Sequence, residues 1–169
     1  MENVASSKAA LEVRNSGLTG VFQKLVEEHR TLTALLLQVR MSLDTAVRAK
    51  LFPALREQLI AHETAEASVL YSAMSKKEQT RLIATKHRRT GGELQRLIER
   101  LSTLDFAGVN WDPTFNLLFE TFEHHAIEEE SYYFPIAQRV LGESKAKLMF
   151  AHYEAATEAS RTRQSSEAH

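Results

Sequence analysis

The sequence contains no cysteine, and only three prolines and six glycines in 169 residues. Without a thiol there is no disulfide, no thiolate zinc site, no cysteine-bound iron–sulfur cluster and no cysteine nucleophile. With so few turn formers, a many-stranded sheet is disfavoured and long helices are favoured. No apolar run approaches the roughly 20 residues that a membrane helix needs. The opening stretch, MENVASSKAALEVRNSG, has no apolar segment of the secretory kind. Neither sign of charge dominates: 21 basic and 22 acidic residues leave a net charge of −1. That balance offers no electrostatic case for nucleic acid or an anionic membrane as partner. The expectation is a soluble, cytoplasmic protein that binds neither.

What is present is 43% hydrophobic residues in a chain of single-domain length, enough for one core. Periodicity predicts four long helices and a shorter fifth, with no strand-like alternation. The first covers about 18–43. The second starts near Pro53 and runs to Met74. Ser75 and Glu78 resemble a capping box opening the third, which ends near Leu104. Asp112-Pro113 fits the start of the fourth, which Gly142 ends after a disturbance at Pro135. Residues 144–160 form the last helix. Residues 1–16 read as a flexible N-terminus, 17–160 as the bundle and 161–169 as a disordered tail. Long helices joined by short loops predict an all-α fold: an antiparallel, up-down-up-down four-helix bundle with a short extra C-terminal helix. A weak repeat supports it. A lone histidine precedes a His-x-x-x-Glu twice, as His29 then His62/Glu66, and as His87 then His125/Glu129.

These polar residues fall on the apolar stripes. His29 interrupts Phe22, Leu25, Val26, Leu32 and Leu36. His62 and Glu66 fill a gap between Leu59 and Leu70. His87 lies four residues after Ile83. His125 and Glu129 continue the line of Phe115, Leu118 and Phe122. An ionised carboxylate in an apolar core is costly unless it is paired or metal-bound. Lys86, Arg88 and Arg89 point around the helix from His87 and do not compensate. One such histidine alone is usually a satisfied core residue; four of them, one per helix, with two carboxylates, point to metal. His124 and Glu128 copy the spacing on the wrong face and read as a solvated pair. His152 reads as ordinary. Glu63, directly after His62, reads as a rim residue, with a ligand or a group behind a ligand as the alternative.

The donor types suit iron, manganese or zinc better than calcium or magnesium. Six side chains are too many for one four-coordinate zinc. They fit two metals about 3.5–4 Å apart, with Glu66 and Glu129 as bridges.

At these residues the sequence resembles a hemerythrin-like HHE cation-binding domain. The matching text is EEHR around His29, AHETAEASVLY around His62 and Glu66, ATKHRR around His87, and EHHAIEEESYYFP around His125 and Glu129. The resemblance covers about residues 18–142. It implies an antiparallel four-helix bundle with a non-haem di-iron centre. His29, His62, His87 and His125 would be terminal ligands. Glu66 and Glu129 would bridge the irons, together with an oxo or hydroxo group. It also implies dioxygen, or another small diatomic or peroxide ligand, as the molecule bound.

The sequence departs from parts of that pattern. Oxygen-carrying hemerythrins of invertebrates place a second histidine where this chain has Gly91, and an aspartate where it has Glu129. The four-His, two-Glu set is closer to bacterial proteins described as repairing iron centres, which carry a cysteine-containing segment. With more anionic ligation and free space beside Gly91, the centre is expected to react with dioxygen or peroxide, not to carry it reversibly. Two roles stay open: a module that binds or senses dioxygen or iron, and a di-iron oxidoreductase acting on peroxide, nitric oxide or dioxygen, including a repair or stress role. A metal-free helical interaction protein is the third alternative. Tyr71, Tyr132 and Tyr133 lie near the ligand turns, as packing residues or redox neighbours.

Overall fold

The computed structural model describes residues 17–167, and among these residues it contains helix and turn but no strand. α1 is Val21–Met41, α2 Thr45–Glu66, α3 the short Ser72–Ser75, α4 Glu78–Thr103, α5 Trp111–Glu128, α6 Phe134–Leu141 and α7 Glu143–Glu167. A π-helical turn, Ala67–Tyr71, joins α2 to α3 without a break. A second, Glu129–Tyr133, joins α5 to α6. The result is five helical rods, compatible with a helical bundle. The predicted flexible segment 1–16 lies outside the described residues.

Several helix boundaries differ from the sequence expectations, each for a local reason. α2 begins well before Pro53, because the Asp44 side chain caps it by accepting from the Ala46 N–H at 2.8 Å. The cap and the burial of Phe52 and Leu55 outweigh the one hydrogen bond that Pro53 cannot donate. Ser75 is no cap for α4; its hydroxyl donates back to the Ser72 carbonyl at 2.8 Å. α5 begins at Trp111, whose ring is buried and stacks on Phe115 with centroids 4.8 Å apart. Asp112 therefore lies inside the first turn, where it pairs with Arg48 at 2.8 Å. Gly142 ends α6 as expected, with φ 86° and its N–H donating to the Gln138 carbonyl at 2.8 Å.

The C-terminal expectation needs the largest correction. The last helix is neither short nor followed by disorder at 161: α7 runs unbroken from Glu143 to Glu167. Ala146, Met149, Tyr153, Thr157 and Ser160 give it a continuous buried face. That face lies chiefly along α2. Near its end the Gln164 amide donates to the Glu57 carbonyl at 3.2 Å. The polar run RTRQSSE is mostly the solvated side of a docked helix. Residues 168 and 169 lie outside the described residues.

The interior is divided. One apolar cluster gathers Leu25, Val26, Ala65, Leu70, Ala84, Phe134 and Tyr153. A second gathers Leu32, Leu36, Leu59, Leu94, Leu118 and Phe122. Each fully buried Leu or Phe contributes about 1.5–3 kcal/mol. Between the clusters every long rod except α7 places one of the four stripe histidines. Along α1 and α4 the order is first cluster, histidine, second cluster. Along α2, and along the rod from α5 through the π turn into α6, it is the reverse.

Candidate metal centre

The polar layer is buried. His29, His62, His87 and His125 expose 1–3% of their surface, and Glu66 and Glu129 expose none. All six residues singled out from the stripes meet here. The Nε2 atoms of all four imidazoles face the carboxylates. His29 Nε2 lies 3.2 Å from Glu129 Oε2, and His125 Nε2 lies 3.3 Å from the same oxygen. His87 Nε2 lies 3.3 Å from Glu66 Oε2 and 3.5 Å from Glu129 Oε1. His62 Nε2 lies 3.9 Å from Glu66 Oε2. Two groups of possible ligand atoms, each within 4.8 Å of one another, emerge: His29, His62 and Glu66, and Glu63, Glu66, His87 and His125. Glu66 belongs to both.

Electrostatics bind the layer together. Burial works against charge on His29, but the close Glu129 carboxylate and the hydrogen bond to Glu130 prevail and raise its pKa to about 9. His125 is likewise opposed by burial and raised to about 10 by the nearby carboxylates of Glu129, Glu63 and Glu66. Burial pushes the Glu66 carboxyl up, yet the close His125 ring and the hydrogen bond with His87 hold it well below the usual carboxylate range. The raised values of His29 and His125 and the lowered value of Glu66 favour charge of both signs inside the layer of the metal-free chain.

That balance leaves atoms unsatisfied. The Nε2 of His29, His62 and His125, Glu66 Oε1 and Glu129 Oε2 are buried without a hydrogen-bond partner. Such groups cost about 1–3 kcal/mol each. A cation bound by neutral Nε2 lone pairs and carboxylate oxygens would use all of them at once. The imidazole-and-carboxylate donor set fits a borderline transition-metal ion.

Around the layer lie groups that the helical stripes did not reveal. His62 Nδ1 donates to Glu28 Oε2 at 3.0 Å, and the Tyr153 hydroxyl donates to the same oxygen at 2.5 Å. His29 Nδ1 donates to Glu130 Oε1 at 2.9 Å. These are outer carboxylates of the kind that fix the tautomer and orientation of a metal-binding imidazole. Tyr71 stacks on His87, centroids 3.5 Å apart, and its hydroxyl donates to Glu129 Oε1 at 2.5 Å. Burial and the nearby Glu129 and Glu66 charges raise the Tyr71 pKa well above its ordinary value, so it keeps its proton. Phe134 stacks on His29 at 5.8 Å.

The π turns explain the pattern. Bonding between residues five apart brings side chains at that spacing onto one face. Tyr71 stands five after Glu66, and Phe134 five after Glu129, so each repeat sends its aromatic onto the lone histidine of the other repeat. The same winding turns Glu130 inward, where an α-helix would leave it off the stripe. The acidic run 128–130 therefore contributes two buried residues, not one. His124 is exposed as expected, but Glu128 pairs with Lys86 of α4. Tyr132 is 61% exposed and takes no part. His152 is exposed, but its neighbour Tyr153 is the residue of α7 that reaches the site.

A cavity of about 580 Å³ opens beside the layer, lined by Glu63, Ser68, Tyr71, His87, Arg88 and Gly91 among others. No helix among the described residues is long and apolar enough to cross a membrane. A family model described as hemerythrin HHE cation binding domain matches residues 20–137, about seven tenths of the chain. No curated protein and no solved structure matches it.

Proposed function

The chain belongs to the hemerythrin HHE cation-binding family, and from that premise we propose that it is a non-haem di-iron protein that binds or senses dioxygen. The observation that carries this reading is the buried layer of four converging imidazole Nε2 atoms and two carboxylates, with Glu66 common to both ligand groups. His29 and His62 would hold one iron and His87 and His125 the other, with Glu66 and Glu129 shared. The reversal of cluster order between successive helices supports an up-down-up-down, antiparallel arrangement of the four ligand-bearing rods. Iron bound there would supply one-electron chemistry and a coordination position for a small ligand.

The chain's own groups prepare that chemistry. Glu28 and Glu130 hold the His62 and His29 rings by their outer nitrogens. Tyr71 keeps its proton and gives a hydrogen bond to Glu129, which orients that carboxylate. Phe122, Phe134 and the Tyr71 ring exclude water from the imidazole faces. The cavity against His87 favours a second reading as an oxidoreductase, because it gives peroxide or nitric oxide a route in from solvent. Protein loaded anaerobically with ferrous iron should oxidise on contact with air and stay oxidised when the oxygen is removed. An adduct that forms and releases dioxygen over many cycles would contradict reactive binding and indicate a carrier. No response to air at all would overturn the proposal. Reductant-dependent turnover of peroxide or nitric oxide would move the assignment to the second reading.

A further inference from the structure

We propose that Glu63 is a seventh metal-binding side chain, serving the His87/His125 position alone and giving way when a small ligand enters from the cavity. The inference rests on the reading of the layer as a metal centre and adds a residue to it.

Glu63 follows His62 in α2 and lies about 100° around the helix from it. It faces the other half of the layer. Its Oε1 lies 3.4 Å from His125 Nε2 and its Oε2 lies 3.9 Å from His87 Nε2. These are its only ion pairs among the described residues, and both of its oxygens are buried without a hydrogen-bond partner. With Glu66, His87 and His125 it completes a set of four ligand atoms within 4.8 Å of one another. Among the described residues, the His29/His62 group gathers only Glu66 as a carboxylate within that distance.

Gly91 makes the room. A Cβ at that position would stand 3.0 Å from Glu63 Oε2 and 3.8 Å from His87 Cε1. The space that the sequence suggested for a small ligand is thus taken by the Glu63 carboxylate. A glycine inside a helix costs about 1 kcal/mol relative to alanine. Here it lets α4 pass close to Glu63. The carboxylate also lines the cavity, with Ser68, Arg88 and Gly91 around it. An anionic ligand with 11% of its side chain exposed has somewhere to swing. Glu66 and Glu129, with no exposure, do not.

Cobalt(II) titration of the metal-free full-length chain tests the assignment, because its visible bands report coordination and need no catalytic turnover. Wild type, Glu63→Ala and Glu63→Gln would be compared, the last keeping the side-chain shape if alanine impairs folding. The expected result is two binding steps in wild type. One step is weakened at least tenfold in both variants with altered bands, and the other is unchanged. Sodium azide should bind the loaded Glu63→Ala protein at least tenfold more tightly than wild type. Unchanged steps and bands, or equal weakening of both steps, would overturn the proposal and make Glu63 a general charge-balancing group. Unchanged azide affinity would overturn its giving way to an entering ligand. A wild-type chain that binds no cobalt would instead overturn the metal-centre reading beneath it.

Discussion

The two halves of the polar layer use the same residue types and surround them differently. Around His29 and His62 each outer nitrogen meets a carboxylate, Glu130 and Glu28, and Tyr153 braces the second. Phe122 and Phe134 close the half from both clusters. Around His87 and His125, among the described residues, no carboxylate holds an outer nitrogen. There the chain has Glu63, Gly91 and the cavity. An imidazole backed by a carboxylate is more basic and better oriented. The comparison teaches that a sequence repeat can yield two unequal sites. On the proposed reading, the first half would retain an ion and the second would let its surroundings change.

The largest expected effect is the loss of both halves together. Glu66→Ala and Glu129→Ala each remove a carboxylate that touches both groups, so metal content should fall from two per chain to one or none by elemental analysis. Two ions retained in either variant would break the idea of shared carboxylates. Exhaustive chelation should come next. If metal binds the folded state only, removing free ion held at 1,000 times its Kd costs about 4 kcal/mol of stability, read by denaturant unfolding.

Smaller effects should be confined to one half. Glu28→Ala should weaken one of the two metal-binding steps by about 10–100-fold, as loss of an outer-shell partner does, and leave the other unchanged. Equal weakening of both would erase the proposed difference. Tyr71→Phe makes the two repeats alike at the position five after the glutamate. It removes one hydrogen bond to a buried carboxylate and should destabilise the chain by about 1.5–3 kcal/mol in denaturant melts. Glu128→Ala is the smallest. Its exposed pairing with Lys86 lies outside the layer, so metal content should not change.

The six residues of the layer were legible because helical periodicity places them on lines that ought to be apolar. Family resemblance pointed to the same six residues and added the expected iron and small-molecule ligand. The unequal surroundings were not legible. Glu28 and Tyr153 act on His62 from α1 and α7, and their contacts depend on how rods pack, which spacing within one helix does not encode. Glu130 was hidden by the π turn, since an α period assigns it to another face. Glu63 follows His62 directly, and spacing alone left it open between a rim residue and a ligand. Only the approach of Gly91 and His125 gives it a role. The helical content of α7 beyond 160 was missed for a simpler reason: a polar run with a few small buried residues looks like a tail until α2 is set beside it.

The most direct test of the account is the metal content of the chain purified without added metal, with an absorption spectrum taken in air. The account predicts about two irons per chain and near-ultraviolet charge-transfer bands. No bound metal, together with no uptake of ferrous iron under anaerobic conditions, would contradict it and leave the layer as a buried network of histidines and glutamates.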